Sequence, residues 1–121
     1  MDSRKELGLE GEEAALRDYL RRGYRLVERN WSVRQGEIDL IVRKQDTLVF
    51  IEVKTSDSSS SFRAIENITW QKRRKLRLLA ELYLSTHELP ALIQQIRLDG
   101  AEVIERDGSY EVSIFENIVE L

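Results

Sequence analysis

Residues 36–55, GEIDLIVRKQDTLVFIEVKT, constrain this chain more than any other stretch. Two runs rich in β-branched and aromatic residues flank the polar residues Lys44, Gln45, Asp46 and Thr47, the pattern of two strands joined by a reversal. An even-length turn centred between Gln45 and Asp46 pairs residues whose numbers sum to 91, so Asp39 is predicted opposite Glu52 and Glu37 opposite Lys54. Alternation then puts Ile38, Leu40 and Val42 with Val49, Ile51 and Val53 on one apolar face, the predicted core. The other face carries Glu37, Asp39, Ile41 and Arg43 beside Leu48, Phe50, Glu52 and Lys54. Ile41 and Phe50 at its centre imply that this face is covered too.

Two carboxylates placed directly opposite each other repel by up to about 1 kcal/mol on an exposed strand pair, and by more when partly buried. A hard divalent cation, Mg²⁺ or Mn²⁺, compensates that repulsion with oxygen ligands and retained waters. Lys54 shares the face of Glu52 and can orient a water or counter the charge on a phosphate. The same register also permits a plainer arrangement, in which Glu37 pairs with Lys54 while Asp39 and Glu52 are simply solvated.

Two helical segments bear on that choice. Residues 4–22 have helical period, with Ser3 and Glu6 resembling a capping box and Gly23 a C-cap. Glu12 falls in the middle of the stripe of Leu9, Ala15, Leu16, Tyr19 and Leu20, and a carboxylate aimed at the core side needs a partner. Gly8, one turn earlier, is expected to let this helix approach the sheet closely. The second helix is predicted from an N-cap at Thr69 to about His87, ended by Pro90, with Leu76, Leu79, Ala80 and Tyr83 as its apolar stripe. Lys72 lies on that stripe's line and is expected to point inward, whereas Arg73, Arg74, Lys75 and Arg77 fan outward, as phosphate contacts or as an ordinary solvated face. Trp31 and Trp70 could stack on bases, but tryptophans near element boundaries more often pack, so neither is assigned a role, and His87 reads as a complement to the helix C-terminus.

The remaining segments are a short strand at 24–28, a loop at 30–35, a loop at 56–61 (SDSSSS), and strands near 92–105 and 110–115 around an Asp107-Gly108 turn. Helix, strand, hairpin, helix, hairpin indicates a mixed sheet covered by helices, in the α/β or α+β class, and 121 residues suit one domain. The absence of cysteine removes disulfides, thiolate zinc sites and cysteine nucleophiles. No apolar run approaches the ~20 residues of a membrane span, and the first residues lack a signal-peptide layout, so a cytoplasmic protein is expected. A net charge of −3 argues against indiscriminate coating of nucleic acid. The charge is unevenly spread, however: residues 17–34 and 62–79 are rich in Arg and Lys, while 99–121 is acidic.

Taken together, the run GEE, GY, NW, GEIDLIV, VFIEVKT and a TxxK-started helix resembles the YraN-like family of uncharacterised bacterial proteins, over about residues 8–99. That family looks like a branch of the PD-(D/E)XK nuclease superfamily and is similar in layout to archaeal Holliday junction resolvases. The resemblance implies a restriction-endonuclease-like αβββαβ core, a mixed sheet flanked by helices, a divalent metal, hydrolysis of DNA phosphodiesters, and a homodimer. It makes Glu12 the helix-one glutamate, Asp39 the hairpin aspartate, and Glu52 with Lys54 the E-x-K pair. In the resulting expectation Glu12, Asp39 and Glu52 hold Mg²⁺ or Mn²⁺, Lys54 assists the attacking water, Lys72 neutralises the scissile phosphate, and Arg73, Arg74, Lys75 and Arg77 grip nucleic acid. Ser56 and Leu98 depart from the family's usual basic and aromatic residues. A catalytically silent nucleic-acid-binding or assembly protein on the same fold is the alternative, and an interaction module using the acidic tail or the Ser-rich stretch a third.

Overall fold

A computed structural model describes residues 3–57 and 68–121, with side chains in the first helix from residue 6 onward. Helix α1 (Ser3–Arg21) is followed by strands β1 (Arg25–Val33), β2 (Gly36–Lys44) and β3 (Thr47–Asp57), helix α2 (Trp70–Thr86), and strands β4 (Gln95–Arg106) and β5 (Ser109–Phe115). The five strands form one sheet in chain order, antiparallel throughout except that β3 and β4 run parallel. Parallel neighbours need a crossover longer than a tight turn, and α2 lies within that connection.

Alternation along the strands sends consecutive residues to opposite faces, and each face has its own helix. Ala15, Leu16 and Tyr19 of α1 pack with Leu40, Val42, Val49, Ile51, Ala101 and Val103. Leu76, Leu79, Ala80 and Tyr83 of α2, the predicted stripe, pack with Ile38, Ile41, Leu48, Phe50 and Leu98. Each fully buried aliphatic or aromatic side chain contributes roughly 1.5–3 kcal/mol, so these two layers carry most of the cohesion. The second face of the hairpin is covered, as Ile41 and Phe50 implied.

Local signals set the ends. Gly23 has φ 93°, and the amides of Tyr24 and Gly23 reach back to the carbonyls of Tyr19 and Leu20, closing α1 in a Schellman motif. Thr69 accepts a hydrogen bond from the Lys72 amide at 3.2 Å and starts α2. Asp107 and Gly108, at φ 51° and 82°, form the β4–β5 reversal.

Several expectations are corrected. The predicted loop at 30–35 shrinks to Arg34 and Gln35, because β2 offers partners as far as Val33: Trp31 pairs with Ile38 and Val33 with Gly36. Ile38 leaves the face of Leu40 and Val42 for that of Ile41. The break in alternation falls at Asp39, beside which the β2–β3 ladder ends, and the neighbouring β1 is itself irregular, with a register shift between Leu26 and Glu28 and Asn30 at a left-handed φ of 51°. Ser56 and Asp57 belong to β3, since β4 extends alongside them, and the rest of the Ser-rich loop lies outside the described residues. The capping box of Ser3 also rests on a side chain outside the described ones. Leu9 and Leu20 are exposed, at 45% and 46%, so the α1 stripe is narrower than predicted.

Close approach of α1 occurs at Gly11, not Gly8, which has open space around it. A Cβ on Gly11 would overlap the Thr55 hydroxyl and lie 2.7 Å from its Cγ2. Gly11→Ala is therefore expected to lower stability by about 1–3 kcal/mol, the usual cost of overpacking. Thr55→Ala should restore part of the loss when combined with it. Urea denaturation of the four proteins of the cycle measures the coupling, and additive effects would show that Thr55 is not what limits the approach.

Candidate functional site

The hairpin register predicted from the sequence holds from Lys44↔Thr47 to Leu40↔Ile51 and then stops. At the next position the Val53 amide donates not to a backbone carbonyl but to Asp39 Oδ2, at 2.7 Å. A side chain has taken the place of the neighbouring strand, and β2 and β3 separate there. Neither predicted pair beyond that point forms in the ladder: Asp39 is not paired with Glu52, nor Glu37 with Lys54. Glu37 pairs toward β1 instead, accepting from Ser32 Oγ at 3.0 Å and from Asn30 Nδ2 at 3.4 Å.

The separation opens a cleft of about 850 Å³, lined by Glu12 from α1, Asp39 from β2, Glu52 and Lys54 from β3, and the strand continuation Thr55, Ser56 and Asp57. The expected acids and Lys54 are thus brought together. Glu12 is half-buried and accepts from Asn30 Nδ2 at 2.7 Å. Lys72 is exposed rather than inward, yet it lies close enough for its charge to act on both Glu52 and Lys54.

Charge balance in the cleft is strained. Burial, reinforced by the Glu52 charge and only partly offset by the Val53 amide, pushes the Asp39 carboxyl up to about 8. Burial also raises Glu52, with Lys72 and Lys54 opposing and Glu12 and Glu37 adding to the rise. Glu12 is raised by burial and by Glu37, against the Asn30 hydrogen bond and Arg29. Lys54 is held below the ordinary lysine range by the neighbouring Lys72 and by burial, against the charges of Glu52 and Asp39. Raised acids and a lowered lysine are what burial and the crowding of like charges produce together.

The outward fan is less uniform than expected. Arg73 turns back into the protein, its Nε donating to the Ile68 carbonyl and Nη1 to the Ile118 carbonyl, both at 3.0 Å. It ties α2 to the C-terminal segment and is not presented to solvent with its neighbours. Arg74 lies over the exposed Trp70 ring at 4.6 Å, Arg77 pairs with Glu81 at 3.0 Å, and Lys75 is exposed. Trp70 is 67% exposed, against the packing more often expected of such a residue. Trp31 does pack, edge-on to Tyr83, and His87 caps α2 with Nδ1 2.9 Å from the Tyr83 carbonyl.

The model of Uncharacterised protein family UPF0102 matches residues 11–105, a span holding every candidate acid and lysine. This chain belongs to that family. A UPF0102 protein of Chloroflexus aurantiacus is 42% identical over 105 residues, covering 87% of this chain and 84% of the relative. Others from Syntrophomonas wolfei (37% over 109 residues, 90% and 93% covered) and Clavibacter michiganensis (38% over 115 residues, 94% and 96% covered) are similar along nearly their whole length. Among the described residues no helix is long and apolar enough to cross a membrane.

Two features escaped the sequence reading. Asn30, placed in a loop by its polar neighbours, is the hydrogen-bond donor to Glu12. Asp99 is fully buried, accepting from Tyr19 Oη at 2.8 Å, Arg97 Nε at 2.9 Å, Arg97 Nη2 at 3.0 Å and the Asn117 amide at 3.0 Å. It fixes α1 to β4 and so sets the position of Glu12, two turns earlier on the helix. The sequence offered little signal for it, since β4 also carries Arg97, Glu102 and Glu105.

Because the folded protein holds the Asp39 proton to about pH 8 while the unfolded chain releases it near 3.8, the folded state binds the extra proton between those values. Stability associated with neutral Asp39 is complete below about pH 4 and lost as pH rises toward 8. Asp39→Asn mimics the neutral acid and can still accept from Val53. In chelator-treated protein the variant and the parent should melt alike near pH 4. By about pH 9 the variant should melt higher, by about 4 °C for each kcal/mol of repulsion removed. A lower melting point under those alkaline conditions would mean that Asp39 acts chiefly as a structural acceptor.

Proposed function

We propose that this protein is a metal-dependent endonuclease on a restriction-endonuclease-like (PD-(D/E)XK) fold, cleaving phosphodiester bonds in DNA, with branched or otherwise structured DNA as the expected form. The observation that carries the reading is the convergence of Asp39, Glu52, Glu12 and Lys54 on one cleft, where the acids repel one another and the Lys72 charge acts on Glu52 from outside its lining. A pure binding protein gains nothing from carboxylates opposed in this way.

The donor set fits a hard cation. Every candidate ligand is a carboxylate oxygen, and among the described residues no three acids or histidines stand together as a ready cage. Carboxylate oxygens alone suit Mg²⁺ or Mn²⁺, which Asp39 and Glu52 would hold, with Glu12 from the facing helix and several waters retained. When bound, the ion supplies Lewis acidity and neutralises phosphate charge.

This chain's own groups do the rest. Lys54, its proton affinity lowered by Lys72, orients a water against the phosphorus and can take up its proton. Lys72 stands where charge develops on the phosphate. Arg74, Lys75 and Arg77 engage the flanking backbone, while Arg73 is left out because its guanidinium is already committed to two carbonyls.

Cleavage of linear, flapped and four-way DNA in Mg²⁺ and in Mn²⁺ tests the proposal. Activity is expected on at least one substrate, with Asp39→Ala and Glu52→Ala each reducing it by roughly 10²–10³-fold or more, as for loss of a group acting on transition-state charge. Both variants should also lose Mn²⁺ binding while remaining folded. Tight DNA binding with no cleavage in either metal would favour the silent binder.

Lys72→Ala should chiefly slow single-turnover cleavage. The combined Arg74→Ala, Arg77→Ala variant should weaken binding and flatten its salt dependence by roughly 0.9 in slope for each duplex phosphate no longer neutralised. Equal effects of both variants on both quantities would mean that α2 presents one undivided basic surface.

A further inference from the structure

Asn30 stands where β1 leaves the ordinary strand conformation. Its neighbours remain in the ladder, Arg29 opposite Leu40 and Trp31 opposite Ile38, so Asn30 lies across from Asp39. Its φ of 51° is unusual for any residue but glycine, and asparagine is among the side chains that tolerate it best. From there Nδ2 donates to Glu12 Oε1 at 2.7 Å and to Glu37 Oε1 at 3.4 Å, so one amide joins β1, α1 and β2. Its orientation follows from chemistry, because a flipped amide would set its carbonyl oxygen against two carboxylates.

If backbone conformation were all that mattered here, glycine would serve better, so the amide group itself needs an explanation. Glu12 supplies one. It sits on a long side chain in a half-open position, and Arg29, held by Glu13 at 3.1 Å, is close enough to draw it toward β1. Glu37 is anchored from its other oxygen by Ser32. We infer that Asn30 is a positioning residue, whose amide fixes the Glu12 carboxylate at the cleft that Asp39 and Glu52 line. The inference rests on the reading of those three acids as the cation-holding set.

The test is a double-mutant cycle read by Mn²⁺ calorimetry and by melting temperature. Asn30→Gly keeps the left-handed backbone and removes the amide. It should weaken Mn²⁺ binding by roughly 10- to 100-fold, the range for loss of a hydrogen bond that orients a ligand. In a Glu12→Ala background the same substitution should cost nothing further, since Asn30 acts only through Glu12. Asn30→Asp is isosteric, suits the same backbone and cannot donate while ionised. It should repeat the loss, and repeat its disappearance in the Glu12→Ala background, despite the added negative charge.

A merely structural Asn30 would lower the melting temperature and Mn²⁺ affinity by the same factor with or without Glu12, and that result overturns the inference. So does unchanged Mn²⁺ binding by Asn30→Gly in a parent protein that binds the ion. A parent protein that binds no Mn²⁺ overturns the metal reading first, and the positioning role with it.

Discussion

The hydrogen bond from the Val53 amide to Asp39 is the interaction on which the candidate site depends. A strand pair can separate within a sheet only if the amides left behind find other acceptors, because an unmet buried amide costs roughly 1–3 kcal/mol. Asp39 provides the acceptor at 2.7 Å, and the β2–β3 ladder ends beside it. The same carboxylate therefore both opens the cleft and lines it. Its charge meets that of Glu52 at the point where the strands part.

Elements whose signals are local were legible in the sequence. The hairpin register came from the position of the turn, the α2 limits from Thr69 and the apolar stripe, and the end of α1 from Gly23. The convergence of Glu12, Asp39, Glu52 and Lys54 followed from register and helical phase together. The failures share one physical origin, in that each depended on a neighbour distant in sequence. Asn30 and Ser32 read as loop residues until β2 is beside them. Ile38 changes face where the β2–β3 ladder ends, an end that strand alternation alone does not announce. Arg73 reads as free until the C-terminal segment presents the Ile118 carbonyl.

The lever that aims Glu12 has two ends. At one, Gly11 lets α1 lie against Thr55 without a side chain between them. At the other, Tyr19 hydrogen-bonds the buried Asp99, which Arg97 holds in turn, and Arg97 also donates to the Tyr24 hydroxyl at 2.8 Å just past the helix end. Broad apolar packing alone tolerates small shifts along a helix axis. A fully satisfied buried carboxylate does not, since sliding by one residue would strand its charge. The rotation and height of α1 are thereby set to within a hydrogen bond's tolerance.

That Tyr19–Asp99 bond spans 80 positions in the chain. Closing so wide a loop is intrinsically slower than pairing the hairpin strands, which are adjacent in the chain. The helix that carries Glu12 is therefore anchored by a contact that a chain ending before β4 could not make.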